Sequence, residues 1–99
     1  MVYRVLIDIE ALKDIENAFD WYETQLKNLG SRYGSQVKKQ INSLKKNPYL
    51  FSIKYHSVHC VKIDKFPFLI HYNINELNKT IVVFAAIHTS RNPEIWLKK

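Results

Sequence analysis

The spacing of apolar residues changes once along this chain, and that change limits what it can fold into. From Leu12 through Ile15, Phe19 and Tyr22 to Leu26, apolar side chains recur at intervals of 3, 4, 3 and 4 residues. That is the period of one face of an α-helix, so the spacing predicts a helix from about residue 9 to 28. Tyr33, Val37, Ile41 and Leu44 continue the pattern and predict a second helix, closed by Lys45 and Lys46 before Asn47-Pro48. Gly30 is the expected stop of the first helix and Ser31 the expected N-cap of the second. Two amphipathic helices joined this closely form an antiparallel hairpin with one apolar side.

Downstream the period becomes two. Phe68, Ile70, Tyr72 and Ile74 alternate with Leu69, His71 and Asn73, which is the signature of a strand. Residues 58–65 also read as extended, with Phe66-Pro67 as the turn or bulge between the two strands. Glu76 to Lys79 form a polar turn, and residues 80–88 are apolar on both faces, as in a strand covered on both sides. Residues 2–7 supply a first strand. The expected fold is α+β in the order β-α-α-β-β-β: an N-terminal helical hairpin packed on a small, mainly antiparallel sheet. With 99 residues there is room for one core, so residues 1–99 are expected to form a single domain.

Charge is unevenly placed. Residues 8–23 carry six acids (Asp8, Glu10, Asp14, Glu16, Asp20, Glu23) and one base, Lys13. Removing these from the chain's 9 acids and 15 bases leaves 14 bases against 3 acids, a net +11. A surplus of this size suits a polyanion or an acidic protein partner, and equally a surface that keeps a small protein dissolved. Cys60 is the sole cysteine, so no internal disulfide can form. The N-terminus meets Asp8 and Glu10 before a signal-peptide apolar region, and the longest apolar run, Ile81 to Ile87, is far shorter than a membrane span. A cytoplasmic protein with no membrane partner is expected.

No Gly-rich phosphate loop, CxxC, HExxH or GxSxG occurs, and His56, His59, His71 and His88 lack helical metal-ligand spacing. Neither a metal nor a cofactor is expected. The remaining set is Lys54, His56, His59, Lys62, Lys65, His71, His88 and Arg91. Such residues can cleave RNA without a metal. Histidine titrates near neutrality and suits proton transfer at the ribose hydroxyl and leaving oxygen. Lysine and arginine suit the charge of the phosphorane. Tyr72 or Trp96 could stack on a base. Plainer roles stand beside these. His88 can cap the sheet, Arg91 can pair with Glu94 or the C-terminal carboxylate, and Trp96 can lie over the helices. His71, on the face of Leu69, reads as a satisfied, partly buried histidine, and Cys60 as packing.

The stretches AFDWYETQLKNLGSRY, KFPFLIHY and VVFAAIHTSRNPEIW, in this order, resemble the RelE/ParE toxin superfamily over nearly the whole chain. These are toxins of bacterial type II toxin–antitoxin modules, also described as plasmid stabilisation proteins. The resemblance implies the β-α-α-β-β-β fold, a cytoplasmic location and a cognate antitoxin laid over the basic surface. It also implies that the end of the last strand borders the functional cleft, so that His88 and Arg91 are catalytic candidates. His59 joins them, because it stands where RelE-like members often carry an arginine. Lys54, Lys62, Lys65, Tyr72 and Trp96 are the expected substrate contacts. RelE-like members are mRNA interferases acting on the ribosome, and this activity is the leading expectation. ParE-like members instead poison DNA gyrase without catalysis. The absence of a tyrosine after Tyr72 and the histidine followed by a Ser-containing turn support that alternative. An inactive remnant that only binds antitoxin is the third reading.

Overall fold

Strand β1 (Arg4–Ile7) runs into helix α1 (Ile9–Gln25), and α2 (Leu29–Lys46) follows. Strands β2 (Ile53–Tyr55), β3 (Val58–Lys62), β4 (Phe68–Asn75) and β5 (Thr80–His88) complete the chain. The computed structural model describes residues 2–49, 53–55 and 57–89, with 53–55 described by their backbone. The expected α+β architecture is present, with one further strand, the three-residue β2.

The helices form for the reasons their periodicity gives, but α1 does not bury the whole expected stripe. Its buried residues are Ala11, Ala18 and Tyr22, whereas Leu12 and Leu26 are exposed. Ile15 and Phe19 pack against the core from the flank. Two inward alanines allow close approach, so the line of contact runs beside the larger side chains rather than through them. In α2 the pattern holds more closely, with Tyr33, Val37 and Leu44 buried and Ile41 packed against them.

The expectation for Gly30 and Ser31 is overturned. Both lie in the first turn of α2, and the chain reverses at Asn28, which adopts the left-handed conformation with φ 69. Asparagine tolerates that region better than other side chains. Gly30 serves contact instead: a Cβ there would stand 2.6 Å from the Phe19 carbonyl oxygen and 2.6 Å from Glu23 Cγ. Glu23 Oε1 accepts hydrogen bonds from the Gly30 N–H (2.8 Å) and the Ser31 N–H (3.4 Å). A carboxylate from α1 thereby caps α2, which gets no cap bond from the Asn28 side chain.

The sheet order is β1-β5-β4-β3-β2, with β1 parallel to β5 and the other neighbours antiparallel. Val61, Ile70, Tyr72, Ile81 and Val83 meet the helices in the core. On the opposite face Cys60, Leu69, His71 and Ala85 are also buried. The β4–β5 ladder carries a bulge: His71 pairs with Ala85 but Tyr72 with Val83, so Phe84 is the extra residue. Before it, Ile81 and Val83 share the core face. After it, Ala86 and His88 do, opposite Ile70 and Phe68.

Gly30→Ala is expected to lower stability by about 1–3 kcal/mol, because the Phe19 carbonyl cannot move without bending α1. Gly34→Ala is expected to raise it by roughly 0.5–1 kcal/mol, since a Cβ there meets only the Phe19 ring, at 3.6 Å. Urea denaturation of the two variants checks both signs.

Candidate functional site

The sequence candidates fall at two ends of the sheet. At one end β5 finishes with half-buried His88, whose ring lies edge-on to Phe68 at 5.2 Å between centroids. The Thr89 N–H then donates to the Pro67 carbonyl (2.7 Å), fastening the strand's exit to the β3–β4 turn. Lys62 ends β3, and its carbonyl accepts from Gln40 Nε2 at 2.9 Å. Lys65 stands in the turn with φ 69, and both lysine side chains are exposed. Lys62, Lys65 and His88 therefore occupy one end of the fold. Arg91 and Trp96 lie outside the described residues.

Helix α1 reaches this end as well. Beyond Val83 the outer edge of β5 has passed the end of β1, and there Asp14 Oδ2 accepts from the Ala86 N–H at 3.2 Å. Rings continue inward from Phe68 to Tyr22 (6.2 Å) and Tyr33 (5.6 Å). Burial raises the Tyr33 phenol, with the charges of Tyr22 and Asp14 adding to the effect. Asp14 was not a sequence candidate. A helical acid gives no sign in the sequence that it will meet a strand edge 72 positions away.

His59 sits at the other end. It is on the helix-facing side of β3 with Val61, opposite Tyr72, and its ring stacks on Tyr72 at 5.5 Å and 22°. The Tyr49 ring closes on it edge-first at 5.9 Å. Tyr72, expected to offer a stacking surface, is fully buried, and its hydroxyl donates to the Pro48 carbonyl at 2.7 Å. Burial pushes that phenol up to about 12. The reason is positional: the outward residue of this strand is Asn73, and Tyr72 points into the core. The backbone of Lys54 pairs with His59, while the Lys54 side chain and His56 lie outside the described residues.

His71 takes the opposite face of the sheet. It is fully buried, more deeply than the partial burial expected from its sharing the face of Leu69, and its Nδ1 lies 3.4 Å from Cys60 Sγ. Burial pushes the Cys60 thiol up to about 11, consistent with packing rather than reactivity. Among the described residues no group of three His, Cys, Asp or Glu is placed to hold a metal.

The register keeps His59 and His88 apart. They belong to strands separated by β4, and their partners Tyr72 and Phe68 are four residues apart along it. Their Cα atoms are roughly 16 Å apart on ordinary sheet spacings. Both rings could serve one phosphate only by turning toward each other, and the His59 ring is held instead in its stack on Tyr72, with Tyr49 edge-on to it.

Glu76, in the β4–β5 turn, organises the His59 end. It accepts from the Lys79 ammonium (2.6 Å), from the Tyr49 hydroxyl and from the Tyr3 hydroxyl (3.1 Å to each carboxylate oxygen). The Lys79 bond, followed by that of Tyr49, holds the Glu76 carboxyl below its usual range. The bond to Glu76 in turn pushes Tyr49 up to about 12. Nothing in the sequence marks these groups as neighbours, since they come from an N-terminal segment, the segment that follows α2 and a hairpin turn.

The family described as the ParE toxin of the type II toxin–antitoxin system, parDE, matches residues 5–93. No curated protein sequence matches. Among solved structures, the chromosomal ParDE system of P. aeruginosa has a chain with TM-score 0.77 and 12% identity, covering 90% of this chain and 98% of that one. The intact E. coli RelBE complex gives TM-score 0.67 and 17% identity, covering 90% and 99%. The archaeal RelE–RelB complex of Pyrococcus horikoshii gives 0.67 and 14%, covering 93% and 100%. At these identities the structures speak for the fold.

Unfolded, Glu76 titrates near 4.5, and its folded value is lower. Its contribution to stability is therefore complete above that pH and is lost as the pH falls through the folded value. Glu76→Gln is expected to lower the thermal midpoint at neutral pH and to converge with wild type in acid. A difference that stayed constant down to strongly acidic pH would remove the ionised carboxylate as its cause.

Proposed function

Since the chain belongs to the ParE toxin family of type II toxin–antitoxin systems, we propose that it acts in the cytoplasm by binding DNA gyrase without catalysis and that a cognate antitoxin silences it. The carrying observation is the separation of His59 from His88, with His59 enclosed between Tyr49 and Tyr72. An RNA-cleaving centre needs an acid, a base and a charge stabiliser around one phosphate. A binding toxin needs only an exposed surface, and the strand exit offers one around half-exposed His88, with exposed Lys65 in the neighbouring turn and exposed Lys62 on the opposite face of the sheet. The antitoxin partner is supported by the toxin–antitoxin complexes among the similar structures.

The reading as an mRNA interferase retains one specific support. His88 is a half-exposed titratable ring at the sheet end where Lys65 stands in the turn, with Lys62 at the same end on the opposite face. In that reading His88 moves the proton and Arg91 steadies the phosphorane, with His59 confined to structure.

Purified toxin is expected to convert supercoiled plasmid to linear DNA in the presence of gyrase and ATP. In cell-free translation it should leave mRNA 5′ ends unchanged. His88→Ala should reduce the linear product about tenfold, the loss of one interface contact worth about 1.4 kcal/mol. Cuts confined to translated message, with no linear plasmid, would reverse the choice of mechanism.

A further inference from the structure

The two helices divide charge between them. Helix α1 carries Glu10, Asp14, Glu16, Asp20 and Glu23 against a single base, Lys13. Helix α2 carries Arg32, Lys38, Lys39, Lys45 and Lys46 and no acid. Arg32, Lys38, Lys39 and Lys46 are exposed, and Lys45 is half-buried. Arg32, Lys39 and Lys46 stand seven residues apart, so they form nearly one line along the helix, with about 10.5 Å between successive members. Exposed Ser35 and Asn42 lie between them. Buried Tyr33, Val37 and Leu44 turn to the core, leaving this line on the outward side. The only ion pair among the described residues joins Lys79 to Glu76, so these cations are not spent on α1.

From this face we infer a docking surface for the phosphate backbone of duplex DNA. The choice of a nucleic acid over an acidic protein rests on what α2 lacks. Protein interfaces are anchored by apolar and aromatic side chains, whereas protein–DNA interfaces are polar and strongly positive. No large exposed apolar residue among the described ones lies on α2, while α1 exposes Ile9, Leu12 and Trp21. The intervening serine and asparagine can donate to phosphate oxygens, as such residues do at DNA backbones. An 18-residue helix is about 27 Å long, and duplex DNA presents about 16 negative charges over that length. The acids on α1 repel the same backbone, so the duplex meets the hairpin from the α2 side alone. Neither Lys62, Lys65 nor His88 belongs to this face. The inference rests on the gyrase reading for its purpose, since a toxin seated on gyrase lies beside the enzyme's DNA, but its test needs no gyrase.

Fluorescence anisotropy of a labelled 20-base-pair duplex, titrated with the full chain at several salt concentrations, tests it. Wild type is expected to bind in the micromolar range near 50 mM salt, with log K falling against log salt at a slope of about −3 to −4. Lys39→Gln/Lys46→Gln should weaken binding at least tenfold and flatten the slope by roughly 1.8, or about 0.9 per contact removed. Lys13→Gln/Lys27→Gln makes the same change of net charge elsewhere and should shift affinity less than threefold. Both pairs sit on exposed positions, and circular dichroism confirms that each variant folds. Equal weakening by the two pairs, absence of binding at 50 mM salt, or tighter binding to duplex RNA or polyglutamate would each overturn the proposal. If duplex binding follows the α2 pair while wild type yields no gyrase-dependent linear DNA, the α2 surface stands and the gyrase reading falls.

Discussion

Strand β1 runs parallel to β5, and a parallel pair cannot be closed by a tight turn. The chain must leave the sheet and return over one face, and the helical hairpin makes that crossing. Everything else follows from the crossing being dense. The Gly30 approach to Phe19 and the Glu23 cap lock the two helices together, and the inward alanines let α1 settle on the β5 side of the sheet. Asp14 then meets the part of β5 that β1 is too short to cover. The same hairpin therefore closes the core and sets the wall of the strand exit.

How much of this was legible in the sequence depends on whether the signal was local. Strand β5 matches its expected span, 80–88, because apolar residues on both faces mark an interior strand. The position of α2 was close for a similar reason, as its stripe is built from large residues. In α1 the stripe misled, because a buried alanine contributes little to an apolar pattern yet decides where a helix touches. Gly30 looked like a terminator, since glycine commonly ends helices, but its use here is set by a carbonyl on another helix. Asn28, two residues earlier, performs the reversal instead.

For the candidate site, residue types were readable and their assembly was not. His88, Lys62 and Lys65 come to one end of the sheet, though Lys62 and His88 take opposite faces, and His71 is buried more fully than its strand parity indicated. Pairing of strands decides the rest, and no single strand carries that information. His59 and Tyr72 became partners in a closed stack because β3 and β4 are registered residue against residue. Glu76 draws three segments together through side chains that look like ordinary turn and terminus residues. The charge division between α1 and α2 was visible as an acidic block followed by a basic remainder, and folding sharpened it into two faces of one hairpin.

The extra residue at Phe84 acts on β5 as a phase shift. Up to Val83 odd-numbered positions face the helices, and from Ala86 even-numbered ones do. His88 thus shares its side of the sheet with Ile70 and Phe68, and a regular strand would have turned it toward His71 and Leu69. When the strand exits of related chains are aligned, identical letters at this position are equivalent only if the bulge is shared. A relative without it would carry the same histidine on the opposite surface, and a residue-by-residue transfer of roles would fail there without any substitution to warn of it.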